Sequence, residues 1–355
     1  MFRRRSRTGW PRGGFIAASS ARRLRNENAT DDGSCQSPSS GWGACGLQAS
    51  MPFRRPEAIC FTHRPGDETK GAIEMKLAVQ VGTVGDGSVK ATIQYCRDME
   101  LNRLIVPFRN VKGYGETGVL DPAHLKEIRH EIEDAGMSFS GMVDWANKAM
   151  YCEGADGAEG AKHFDHLRRN LDTISQAGAR ELCYFAIVPP PQDPKDAPAQ
   201  WDKLIGFWRK FMAHAEQCGV RIGLHTVADP EKNLLWDYKA VQRLQKDAPS
   251  PSNGVTLCIG NFWNSEGEAM YDVIRRLGEK IFIVHVRSTK QGLGETAFWF
   301  DSGGPDFRKT VRALRDINYQ GDLRSEHMPH VAGGNRDDIG TAWAIGYMKA
   351  MLQYM

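Results

Sequence analysis

Four side chains capable of binding a metal stand at or near the ends of four consecutive apolar runs. His225 closes VRIGLH, Cys258 lies in GVTLCI, His285 in KIFIVHV, and Glu326 closes GDLRSE. Two imidazoles, a thiolate and a carboxylate make a donor set that suits a divalent transition ion such as Mn²⁺, Fe²⁺ or Zn²⁺. Each residue alone has an ordinary explanation: a strand-end histidine is often just hydrogen-bonded, and a cysteine in an apolar strand is usually core. The recurrence of one such residue at the same edge of four neighbouring runs is what points to a metal site. Structural zinc sites commonly use more thiolates in closely spaced pairs, which this set lacks.

The flanking residues suit a small anionic substrate. Arg287 lies two residues after His285 and shares its strand face if the backbone stays extended. Its guanidinium is a candidate to orient a carboxylate through paired hydrogen bonds. Asn261, in CIGN, is a candidate hydroxyl ligand or turn former. His327 adjoins Glu326 and is a candidate general acid or base. His330 completes LRSEHMPH as a further candidate substrate contact.

Residues at strand ends form a site only if the strands are parallel neighbours. From Met75 onward, strand-like runs occur at 76–81, 103–108, 138–143, 181–187, 220–225, 254–259, 280–286 and 321–326. Segments with helical spacing separate them, at 124–136, 163–178, 201–219, 270–278 and 307–321, several of which end in Gly as a left-handed C-cap does. Strands alternating with helices predict βαβ units. Eight such strands in about 280 residues predict a (β/α)8 barrel, with its site at the C-terminal ends of the strands. An open dinucleotide-binding sheet is disfavoured, because VGTVGDGS after the first run lacks the order GxGxxG.

Residues 1–74 read differently. No acidic residue precedes Glu27, and Arg, Ser, Gly and Pro dominate without periodicity, which predicts a disordered basic extension. It reads as a transit peptide or as sequence upstream of a true start at Met75; nucleic-acid binding is disfavoured, since no recognisable module accompanies it. The catalytic domain is expected to span 75–355.

The whole chain, 355 residues with 41% hydrophobic, 25% charged and a formal net charge of +3, has a globular balance. No apolar run approaches the roughly 20 residues a membrane helix needs. The eight cysteines form no CxxC pair. Cys96, Cys152, Cys183 and Cys218 read as small buried hydrophobes in a reducing, cytoplasmic setting. Neither a nucleic acid nor a membrane is an expected partner; association into a homo-oligomer is compatible with the barrel.

At these residues the chain resembles the mannonate dehydratase family, within the xylose-isomerase-like barrels. The similarity is concentrated in 220–352: GLHTVADP, SPSNGVTLCIGN, IFIVHVRS, GDLRSEHMPH and IGTAWAIGYMKAML, with SNGVTLCIGN the most specific. The resemblance implies a lyase that converts D-mannonate to 2-keto-3-deoxy-D-gluconate and water. It implies Mn²⁺ or Fe²⁺ held by His225, Cys258, His285 and Glu326, with proton transfer by His327. Three departures stand out. The family pattern Arg-Pro-Asp-His-Gly-His becomes Arg324-Ser325-Glu326-His327-Met328-Pro329-His330, with Glu for Asp. The stretch FWFDSGGPDF replaces a longer family segment. Arg336 stands about where the family has a tyrosine, and Tyr347 lies too far into the last helix to replace it. These departures keep two other readings open: a sugar isomerase or epimerase, and a non-catalytic barrel that binds metal or a sugar acid.

Overall fold

Short runs rich in Val, Ile and Leu form the wall of the fold, because β-branched and aliphatic side chains pack well on a pleated surface covered on both faces. In the computed structural model, which describes residues 75–145, 154–292, 297, 299–331 and 338–355, they become β1 (Lys76–Leu77), β2 (Val79–Gln80), β3 (Arg103–Pro107), β4 (Ser138–Trp145), β5 (Glu181–Phe185), β6 (Arg221–His225), β7 (Asn253–Cys258), β8 (Ile281–Val286) and β9 (Asp322–Ser325). The expected extension over 1–74, Cys152 and Arg336 lie outside the described residues.

All pairings are parallel, in the order β1-β9-β8-β7-β6-β5-β4-β3-β2. β1 and β2 are two pieces of one strand interrupted at Ala78. The first pairs with β9 and the second with β3, so the sheet closes on itself as an eight-stranded barrel. The expected single strand over 76–81 is thus split between its two neighbours.

The helices are α1 (Val89–Asp98), α2 (Tyr114–Thr117), α3 (Pro122–Asp134), α4 (Ala158–Gln176), α5 (Ala197–Cys218), α6 (Tyr238–Asp247), α7 (Ile259–Glu266), α8 (Met270–Leu277), α9 (Phe307–Asp316) and α10 (Asp338–Tyr354). α9 shows why they lie on the wall. Phe307, Thr310, Val311, Ala313 and Leu314 are buried, a single stripe at helical spacing. Asp306 caps its start by accepting from the backbone N–H groups of Arg308 and Lys309. α5 ends at Gly219, whose φ of 64° is the left-handed cap the sequence announces.

The expected strand 254–259 ends one residue early. Cys258 already acts as the N-cap of α7, so the chain turns from strand to helix without a loop. Most of the core lies between strands and helices. A smaller apolar cluster fills the lumen, made of Ala78, Ile105, Val143, Cys183, Phe282 and Ile283 with Phe185 packed against it. Cys96 and Cys183 are buried free thiols, pushed up by burial (Cys96 to about 12), and behave as the small hydrophobes expected.

Candidate metal centre

The register of the barrel sets the site. His225 is the last residue of β6 and Cys258 the last of β7; Cys258 stands opposite His285 on β8, and His285 opposite Arg324 on β9. Glu326, one residue past β9, extends that pairing by donating its N–H to Val286 O at 3.0 Å. Side chains repeat faces every second residue along a strand, so Arg324 and Glu326 share the face of His285.

The donor atoms of His225, His285 and Glu326 all lie within 4.8 Å of one another, and all three residues are buried. Glu326 Oε2 is 3.5 Å from His225 Nε2, and Oε1 is 3.1 Å from His285 Nδ1. Cys258 borders this triad, its Sγ 3.4 Å from Glu326 Oε2. The sequence set is therefore brought to one place, with three members converging and the thiol alongside.

The electrostatics of the three groups are coupled. Burial alone would push the Glu326 carboxyl up, but the neighbouring His285 and His225 outweigh it and hold it well below the usual range. Burial opposes charging His225, yet the Glu326 carboxylate wins and raises it to about 10. His285 goes the other way, to about 4, because burial exceeds the pull of Glu326 and Arg324 adds a repulsive positive charge.

These residues fit a divalent cation. Both ring nitrogens of His225 and Nδ1 of His285 are buried and make no well-formed hydrogen bond among the described residues; Nε2 of His225 and Nδ1 of His285 face the Glu326 carboxylate as ion pairs. Native structures hydrogen-bond such buried atoms with few exceptions, and a metal ion is one of the recognised alternatives to a hydrogen-bond partner. The imidazole, carboxylate and adjacent thiol donors are those that transition ions prefer.

Arg287 is fully buried. Its Nε donates to Cys258 Sγ at 3.1 Å and stands 3.9 Å from Glu326 Oε2, and Nη2 donates to Asn261 Oδ1 at 2.7 Å. Asn261, on the first turn of α7, donates from Nδ2 to Thr226 O at 2.6 Å. Both ends of that amide are committed to protein groups, and it fixes the guanidinium. His327 and His330 are exposed, outside the buried cluster. His327 has φ of 47°, a left-handed conformation uncommon for a residue with a Cβ.

Two contacts are not foreshadowed by residue type. Phe185 stacks on His225 with centroids 3.9 Å apart, because the two are opposite in register at the ends of β5 and β6. Arg324 Nη1 lies 3.3 Å from His285 Nε2 and 3.4 Å from Glu326 Oε1. Strand alternation could have revealed the second, since Arg324 precedes Glu326 by two.

A family model described as xylose isomerase-like TIM barrel matches residues 111–340, a span that includes all of this cluster. The chain belongs to the xylose isomerase-like TIM barrel family. This family member is similar to the mannonate dehydratase of Thermotoga neapolitana, at 28% identity over 138 residues, 36% of this chain and 38% of that protein. It is similar at 26% over 138 residues to the mannonate dehydratase of Streptococcus agalactiae, covering 36% of this chain and 40% of that one. The chain thus matches less than half the length of these relatives. The mannonate dehydratase structure from Streptococcus suis aligns with a TM-score of 0.64 at 16% identity, covering 79% of this chain and 93% of that one. An L-ribulose 3-epimerase structure aligns with a TM-score of 0.61 at 17% identity, covering 79% and 95%. At such identities the structural likeness shows the xylose isomerase-like fold. No helix among the described residues is long and apolar enough to cross a membrane.

Proposed function

We propose that this chain is a metal-dependent hydro-lyase that removes water from D-mannonate, or a closely related sugar acid, to give 2-keto-3-deoxy-D-gluconate. The observation that carries the reading is the convergence of His225, His285 and Glu326 at the C-terminal rim, with buried ring nitrogens that make no well-formed hydrogen bond. The similarity to proteins named mannonate dehydratase supports it.

The reaction takes a proton from the carbon beside a carboxylate and expels the hydroxyl of the next carbon. His225, His285, Glu326 and Cys258 would hold the cation, Mn²⁺ or Fe²⁺ by the resemblance. When bound, such an ion offers Lewis-acid stabilisation of the negative charge that builds on the substrate's carboxylate end. Arg287 holds the Cys258 sulfur in place and adds positive charge beside it, and Asn261 holds Arg287. Phe185 covers one face of His225, which keeps water from that side of the ring. His327, exposed beside Glu326, serves one of the two proton transfers, and His330 stands nearby as a substrate contact.

A second reading is a sugar isomerase or epimerase. It rests on Glu326, whose longer carboxylate departs from the aspartate of the mannonate dehydratase pattern. Both readings begin with abstraction of a proton beside a carbonyl-type carbon and differ in the fate of the hydroxyl. Incubation with D-mannonate in D₂O, followed by NMR of the product, separates them. A 2-keto-3-deoxy acid carrying solvent deuterium at C3 supports the dehydratase; a product with every hydroxyl retained overturns it in favour of the second reading.

A further inference from the structure

On the outer wall of the barrel, α4 and α5 bring a second set of donors together. His214 and Cys218 are four residues apart on α5 and therefore share a helix face. Asp172 projects towards them from α4. His214 Nε2 lies 2.8 Å from Asp172 Oδ1, and the Cys218 thiol donates to that same oxygen at 3.4 Å. All three donor atoms fall within 4.8 Å of one another. The proposed chemistry in the barrel uses none of them.

A histidine–aspartate hydrogen bond would account for two of these groups. It does not account for a sulfur directed at the same oxygen. Around a tetrahedral zinc ion, ligand distances of roughly 2.0–2.3 Å place nitrogen and oxygen about 3.3 Å apart, and sulfur and oxygen about 3.5 Å apart. The sulfur–oxygen separation here already fits, and the nitrogen–oxygen separation needs to open by about 0.5 Å, within reach of a side-chain rotation. The carboxylate is also held from behind: Arg168 Nη1 is 3.5 Å from Asp172 Oδ2, which leaves Oδ1 turned to the other two donors. Ser175 Oγ donates to Cys218 O at 2.6 Å and ties the two helices at the same level. Side-chain exposures of 17% for His214 and 38% for Asp172 leave room for an ion to enter and for a water to complete its shell.

We propose that Asp172, His214 and Cys218 form a second divalent-cation site, one that takes a borderline-soft ion such as Zn²⁺ with water as the fourth ligand. Imidazole and thiolate select Zn²⁺ over harder ions that favour oxygen alone. A bound ion clips α4 to α5 and stabilises the folded chain by mass action.

The test uses the full-length chain carrying Cys258→Ser, which removes the thiolate from the barrel centre. Co²⁺ is titrated in and the thiolate-to-metal charge-transfer absorption is followed; Zn²⁺ is then tested for its effect on Tm. The expected result is a thiolate band that saturates, within the two equivalents of Co²⁺ that the two sites together take up. Adding Cys218→Ser removes the band and reduces the Zn²⁺-dependent rise in Tm, leaving only what the barrel centre contributes, and His214→Gln lowers the Co²⁺ affinity read from the band by at least about tenfold. Equal Tm values of these variants in chelator show that the fold is kept; His214→Gln serves as the test if Cys218→Ser lowers that value. No band at saturating Co²⁺, or a band unchanged by both substitutions, overturns the proposal. The ligands are not shared with the barrel centre, so failure of the dehydratase reading leaves this test unaffected.

Discussion

A methyl group added at Gly260 would stand 2.6 Å from Nε of Arg287 and 2.8 Å from its Cγ. The absence of a side chain at Gly260 is therefore what lets the guanidinium lie against Cys258 and Asn261. Gly260→Ala is expected to displace Arg287, destabilise the fold by about 1–3 kcal/mol, and weaken metal retention. Chemical denaturation and metal analysis of the purified variant check both. Unchanged stability and metal content would mean that the guanidinium position does not matter.

Glu326 is the only carboxylate in the converging triad, and it meets both imidazoles. Glu326→Gln keeps the shape but removes the charge. Bound Mn²⁺ is expected to fall by at least about tenfold in affinity, measured by equilibrium dialysis. Removing the anion from between two buried histidines also leaves His225 without the partner that keeps it charged.

Asp144 gives a pH signature independent of the metal. It is buried at 1% exposure on β4, and burial raises its pKa to about 6, against the opposing hydrogen bond donated by Tyr114 Oη. The folded value lies above the unfolded one, so the native state binds the proton more tightly. The stability this contributes is whole below about pH 4 and is lost as pH rises through about 6. At neutral pH the buried charge costs on the order of 3 kcal/mol. Asp144→Asn is expected to raise Tm at pH 7.5 and leave it nearly unchanged at pH 4. Melts of both proteins at the two values decide; a variant less stable at pH 7.5 contradicts the assignment.

The barrel closes through residues just after Met75. Lys76 N donates to Gly321 O at 3.1 Å, Ala78 N to Leu323 O at 2.9 Å, and Val81 N to Ile105 O at 2.9 Å. A chain beginning at Met75 is expected to melt at the same temperature as the full chain. One beginning at Val81 loses the strand that joins β9 to β3 and is expected not to fold. Circular dichroism of the two truncations checks this.

Much of the site was legible in advance because parallel strands put their last residues at one rim, so His225, Cys258, His285 and Glu326 could be located by strand ends alone. The register then explains what residue types could not convey. Asn261 reads in the sequence as a hydroxyl ligand or a turn former; the immediate turn from β7 into α7 is what points its amide at Thr226 and Arg287. Phe185 against His225 depends on which residues fall opposite each other across β5 and β6. The outer-wall cluster is not legible in the same way: Cys218 reads in the sequence as a small buried hydrophobe but is only half-buried, and Asp172 joins His214 and Cys218 only through the packing of α4 on α5.

The barrel rim is proposed to hold a metal and to dehydrate a sugar acid. The most direct test is to supply the full chain, and in parallel His285→Ala, with Mn²⁺ and D-mannonate, measuring bound metal and 2-keto-3-deoxy product on the same samples. Product is expected from the unaltered chain, and loss of both metal and product in the variant. Stoichiometric metal with no product, or product that persists without metal, would contradict the proposal.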